Sequence, residues 1–290
     1  MEIEEKYFME LQPRDLKNAS PGAKITPERW MAGVRRTLRK VEATKVGGLL
    51  LRSIAFKQRW TWIQPYWWAN FNKRKQDNAD VQDSDFFAAS KNRRIWCILR
   101  ISPENFGRAS ACAAQCKGHG AVGEAHEAMF HELVHVFRVI SRPSIDQGTS
   151  TLALRGGLRD HTTIEEFFAV LLTNIYASAN GKRHLRANHR THDVLPDDLD
   201  GSFSFFSLGE PVFRLVQHFC WAHKGFTGAL AKIDAPFNPI RAYHADPARA
   251  RSLSEGALAR TRDAQGATLS ALEKIVPGFH FQSYDALMRP

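Results

Sequence analysis

The sequence predicts an α+β domain, and three observations carry that reading. Trp60-Thr61-Trp62-Ile63 and the run Ile95–Ile101 are dominated by bulky and β-branched residues, as strands are. Trp30, Val34, Leu38 and Val41 recur at helical spacing. Beyond residue 124, long apolar segments bounded by caps and breakers predict a mainly helical C-terminal half. The expected architecture is a small twisted sheet with one buried helix beneath it and further helices completing the core.

Each element has a local cause. Thr26-Pro27-Glu28-Arg29 opens the first long helix with a capping residue and a proline in the first turn. Gly47-Gly48 is expected to end it, and Leu49, Leu50, Leu51 and Ile54 form a second amphipathic segment leading to the strand at 60–63, which Pro65 closes. Residues 72–94 are polar and read as an exposed insertion before the strand Ile95–Ile101. A Gly- and Ala-rich loop follows, and Ala128-Met129-Phe130 then leads into a buried helix that Ser141-Arg142-Pro143 stops. The next helix begins near Asp160-His161-Thr162-Thr163, is apolar on nearly every side, and stops before Asn180-Gly181. Phe203, Phe205, Phe206, Val212, Phe213, Leu215, Val216 and Phe219 supply more core. No repeat or linker divides the chain, so residues 1–290 read as a single domain in which 1–25 form a mobile start.

Composition bounds the compartment and the partners. With 290 residues and 43% hydrophobic content the chain can bury a full core, and no stretch is long and apolar enough to span a bilayer. The acidic start Met1–Lys6 lacks the pattern of a secretory signal, so the expected location is the cytoplasm of the producer, with any export through a specialised system. Cys97 and Cys220 lie in apolar surroundings and read as buried thiols; Cys112 and Cys116, spaced C-x-x-x-C, could pair in an oxidising compartment, but the reduced state is favoured. A net charge of +10 and a pI near 9.6 favour acidic partners. The basic residues are dispersed and carry no nucleic-acid-binding motif, so nucleic acid ranks last among those partners.

His131-Glu132-Leu133-Val134-His135 carries the chemistry. Two imidazoles four residues apart on a helix face one way and can hold one zinc ion, with the intervening glutamate placed to act on water. H-E-x-x-H arises by chance in roughly one chain in fifty of this composition, so its context decides. A catalytic zinc takes three protein ligands and keeps one position open. Glu165 and Glu166, at the start of an apolar helix, are the candidates for the third, and burial there demands a partner for each. Thr162-x-x-Glu165 and Thr163-x-x-Glu166 both fit a capping box. Glu166 shares its face with Ala169, Val170 and Thr173, small enough for close helix approach, and is preferred. His184, His189, His192, His218, His223 and His244 read as surface or core-edge residues.

The string Glu166-Phe167-Phe168-Ala169 after H-E-x-x-H resembles the zincin metallopeptidases of the glutamate-ligand type, including the anthrax lethal factor catalytic domain, the Mlc-titration-factor peptidases and zincin domains of bacterial effectors and toxins. The resemblance covers residues 95–225, the expected catalytic core. It implies a zincin-like fold, one Zn2+ per chain held by His131, His135 and Glu166, and Glu132 as the general base. It implies hydrolysis of a protein substrate, with an effector or toxin role, an immunity protein or a secretion apparatus as partner. It also implies that the strand Ile95–Ile101 is the edge to which an extended substrate adds.

The chain departs from that pattern in two ways. Val170 replaces the carboxylate that supports a zinc-binding histidine, so a backbone carbonyl, Asp160 or Asn174 is expected to serve. The tyrosine expected before the ligand helix is missing, and His161, Tyr176 or Tyr243 is expected to take its oxyanion role. His161 and Glu132 are thus the catalytic candidates. The alternatives are a zinc-containing binding protein with a degenerate site and a basic nucleic-acid-binding protein in which the motif is accidental.

Overall fold

The Thr26 side chain accepts a hydrogen bond from the Arg29 amide, and from this cap α2 runs Pro27–Glu42, turning Trp30, Val34, Leu38 and Val41 inward. The structure is a computed structural model and describes residues 2–13, 25–66, 79–83, 95–106, 124–141, 163–189 and 193–260. A short α1, Ile3–Lys6, and strand β1, Met9–Leu11, precede α2. The chain breaks at Ala43-Thr44, where Thr44 caps α3, Lys45–Ala55, by accepting from the Gly47 amide. Gly47 and Gly48 therefore do not end a helix but begin one. The reason is contact: a Cβ on Gly47 would lie 2.0 Å from the Val41 carbonyl oxygen, so only glycine lets α3 start this close to α2.

Four strands form one sheet in the order β1-β2-β4-β3, with β2 Trp60–Gln64, β3 Ala79–Asp83 and β4 Ile95–Ile101. β1, β2 and β4 are parallel; β3 is antiparallel to β4, from Ala79 opposite Ile101 to Asp83 opposite Cys97. Two expectations change here. β4 is flanked on both sides and is not an edge strand, and the segment expected to be an exposed insertion contains the edge strand β3. The rest of that insertion lies outside the described residues. Trp30 ties α2 to the sheet, its indole N–H donating to the buried Ile101 carbonyl at 3.1 Å.

α4, Ala125–Ser141, packs against β3 and β4 on one side and against α2, α3 and the helix that follows it on the others. Such a helix is covered all round, which explains its nearly continuous apolar sequence. α5, Ile164–Ala179, ends in a Schellman turn: the Gly181 amide donates to the Ser178 carbonyl and the Lys182 amide to that of Ala177, with Gly181 at φ +81°. The turn sends residues 182–189 back along α5. Helices α6 (Glu210–Ala222), α7 (Lys224–Leu230), α8 (Pro239–Ala245) and α9 (Pro247–Arg260) close the other side. Phe205, Phe206, Val212, Phe213, Val216 and Phe219 are buried there as expected. The molecule is thus α+β, and no helix among the described residues is long and apolar enough to cross a membrane.

Candidate metal centre

Helix α4 presents His131 and His135 on one face, one turn apart, and both Nε2 atoms converge on α5. Thr163 caps α5 by accepting from the Glu166 amide at 3.2 Å, so Glu165 and Glu166 stand in its first turn, where the helix dipole favours carboxylates. Of the two possible capping patterns, the one from Thr163 is used. The Glu166 side chain leaves the helix end and reaches the imidazoles instead of returning to its cap.

Three atoms then form a nearly equilateral triangle. His131 Nε2 is 3.2 Å from Glu166 Oε2, His135 Nε2 is 3.4 Å from the same oxygen, and the two Nε2 atoms are 3.3 Å apart. Hydrogen bonds do not account for all three sides, because both Nε2 atoms must be protonated to donate to Glu166, and two protonated Nε2 atoms then repel along the third side. A tetrahedral zinc with bonds of about 2.0–2.1 Å has ligand–ligand edges of about 3.3 Å. The triangle therefore fits a face of that tetrahedron, and two imidazoles with one carboxylate are a zinc donor set.

A fourth group stands beside it. His189 Nε2 lies 3.2 Å from Glu166 Oε2, its ring stacks on His131 at 5.6 Å with planes 12° apart, and the ligand atoms of His131, Glu166 and His189 all lie within 4.8 Å. His189, expected at the surface or the core edge, is half-buried and stands within reach of the cluster. The loop after α5 delivers it: the Asn174 amide donates to the Arg186 carbonyl at 2.8 Å and accepts from the Arg186 amide at 2.9 Å. Arg186 bridges to Val194, and its guanidinium donates to the His189 carbonyl at 3.1 Å. The signal in the sequence was Asn174 itself, a buried amide on an apolar helix that must find backbone partners.

Behind the triangle lies a supporting layer. The Thr173 hydroxyl donates to the Ala169 carbonyl at 2.7 Å, and its oxygen is 3.5 Å from His131 Nδ1, placed to accept that N–H and leave Nε2 bare. Glu165 Oε2 lies 4.0 Å from His135 Nδ1 while its carboxylate takes two guanidinium nitrogens of Arg138. Arg138 also donates to His223 Nε2 at 2.6 Å and lies over the Phe168 ring at 4.7 Å, so a second histidine read as peripheral is buried beside the centre. These groups fill the supporting role expected of Asp160 or Asn174; Asn174 is committed to Arg186, and Asp160 lies outside the described residues.

The remaining candidates fall as follows. Glu132 is buried and its charge acts on His135. His161 lies outside the described residues. The Tyr176 hydroxyl is paired with His126 Nδ1 at 2.9 Å and its ring stacks on Phe130, while Tyr243 packs against Phe213 in the C-terminal helices. Burial lowers the pKa of His131 to about 4 and of His189 to about 3. Burial opposes charge on His135 too, but the Glu166 carboxylate outweighs it and raises His135 to about 9. Burial likewise opposes charge on Glu166, yet His135 holds it far below the usual carboxylate range. The two shifts run in the directions that favour an ion pair between His135 and Glu166.

No protein-family model matches the chain, and neither does any curated protein or solved structure. What fold and centre define is an α+β protein with a buried histidine–glutamate cluster able to hold a metal ion.

Proposed function

We propose that the chain is a zinc-dependent endopeptidase of zincin type, delivered as a bacterial effector or toxin into a target cell, where its basic surface favours a protein substrate with acidic character. The observation that carries the reading is the triangle of His131, His135 and Glu166 with sides of 3.2–3.4 Å, formed on the helix that also bears Glu132. Zinc, when bound, supplies Lewis acidity and brings a water's pKa towards about 7. His131, His135 and Glu166 hold it. The Glu132 carboxylate takes a proton from the attacking water and passes it to the leaving amine as the peptide bond breaks. An extended substrate adds by backbone pairing to β3, whose outer side no strand pairs among the described residues and which packs on α4.

The test is to incubate zinc-loaded protein with a cell lysate, label new protein N-termini, and compare wild type with Glu132→Gln. New termini from wild type alone, with equal zinc in both, support the peptidase. Equal zinc with no new termini from either supports the second reading, a zinc-containing binding protein, which the third imidazole at the cluster favours. No zinc in wild type removes both.

A further inference from the structure

We propose that His189 is a fourth side-chain ligand of the metal centre, so that the chain offers three imidazoles and one carboxylate. The inference rests on the metal part of the peptidase reading and adds a residue that the H-E-x-x-H and E-F-F-A strings do not contain. Its basis is convergence on one atom: Glu166 Oε2 receives His131 Nε2 at 3.2 Å, His135 Nε2 at 3.4 Å and His189 Nε2 at 3.2 Å. The His189 contact matches the others to within 0.2 Å and falls near the tetrahedral edge of about 3.3 Å that separates ligand atoms around zinc.

The surroundings are those of a built site. His189 is fixed through its own carbonyl by Arg186, which is in turn fixed by the buried Asn174, itself two turns along α5 from Glu166. Ring stacking on His131 holds the imidazole plane. A side chain merely covering the cluster would not need its backbone anchored to the helix that carries the third ligand.

The ligands differ in how they are mounted. His131, His135 and Glu166 stand on the buried helices α4 and α5, whereas His189 stands on the loop after α5. Four side chains fill a tetrahedral zinc, and catalysis needs an open position. His189, mounted on the loop, would be the ligand to give way when a metal is bound.

The experiment is 15N-edited NMR of the histidine side chains in the full chain, titrated with zinc ion alone, beside zinc affinity by chelator competition for wild type, His189→Ala and His189→Asn. The expected result is that Nε2 of His131, His135 and His189 all move to metal-bound positions. Both variants should lose more than the roughly 10–100-fold in zinc affinity that an outer partner costs. Zinc bound with His131 and His135 shifted but His189 Nε2 unmoved overturns the inference and leaves the peptidase reading standing. A wild type that binds no zinc overturns both. The NMR experiment needs no variant, so a folding defect in either substitution does not touch its outcome.

Discussion

Glu165 reaches two partners at once: its Oε1 lies 2.9 Å from Arg138 Nη2, and its Oε2 lies 4.0 Å from His135 Nδ1. One carboxylate thus fastens the first turn of α5 to the second half of α4 and stands behind the His135 imidazole of the cluster. Arg138 is almost wholly enclosed between Phe168 and Phe219, so removing Glu165 strands a buried charge. Glu165→Ala should cost about 3–5 kcal/mol of stability in urea unfolding of the metal-free protein. It should also lower zinc affinity by roughly 10–100-fold. A loss below about 1 kcal/mol would mean that the pair is worth no more than a surface one.

Metal should stabilise the fold, because the unfolded chain has no formed triangle. At free zinc one hundred times the dissociation constant, stability should rise by about 2.7 kcal/mol, and chelation should reverse it. His131→Ala and Glu166→Ala should abolish the rise in melting temperature. A rise that survives both substitutions would place the zinc elsewhere.

Two glycine substitutions should move stability in opposite directions. Gly47→Ala drives a Cβ into the Val41 carbonyl and should cost on the order of 3 kcal/mol. Gly228→Ala, inside α7 with nothing within 4 Å of the added carbon, should stabilise by about 0.4–1 kcal/mol. Equilibrium unfolding of the pair checks both, and a harmless Gly47→Ala would contradict the close start of α3.

Alkaline conditions should unfold the protein. Burial raises the Cys97 thiol to about 12 and also pushes Cys220 and Tyr176 upward. Each stays neutral in the folded chain while the unfolded chain ionises, so their contribution is complete below the unfolded values, near 8.5 for a thiol and 10 for tyrosine. It is lost as pH rises from there through the folded values. Stability should fall steadily above about pH 9, and Cys97→Ala should flatten that fall. An unchanged slope would show that the thiol is accessible in the folded state.

The helical elements were legible because their causes are local: the caps at Thr26 and Thr163, the Asn180-Gly181 stop, and the apolar runs of α4 and α5. That Glu166 meets both imidazole Nε2 atoms was legible too, since small residues on its face mark where α4 approaches, and Thr173 proves to touch His131. What escaped depends on distant partners. β3 lies in a polar segment and is a strand through pairing with β4. Gly47 and Gly48 resemble a helix stop until the Val41 and Glu42 carbonyls are seen against them. His189 belongs to the centre only because Asn174 holds a loop whose sequence shows no period.

The centre's ligands also set a schedule for its assembly. His131 and His135 come together as soon as α4 forms, giving a weak two-point grip, whereas Glu166 arrives only when the chain has crossed residues 142–162 and α5 has docked. His189 follows the Schellman turn. On the proposed zinc site, tight metal capture would be a late step in folding, and the time course of zinc uptake during refolding would be a clock for the docking of α5 on α4.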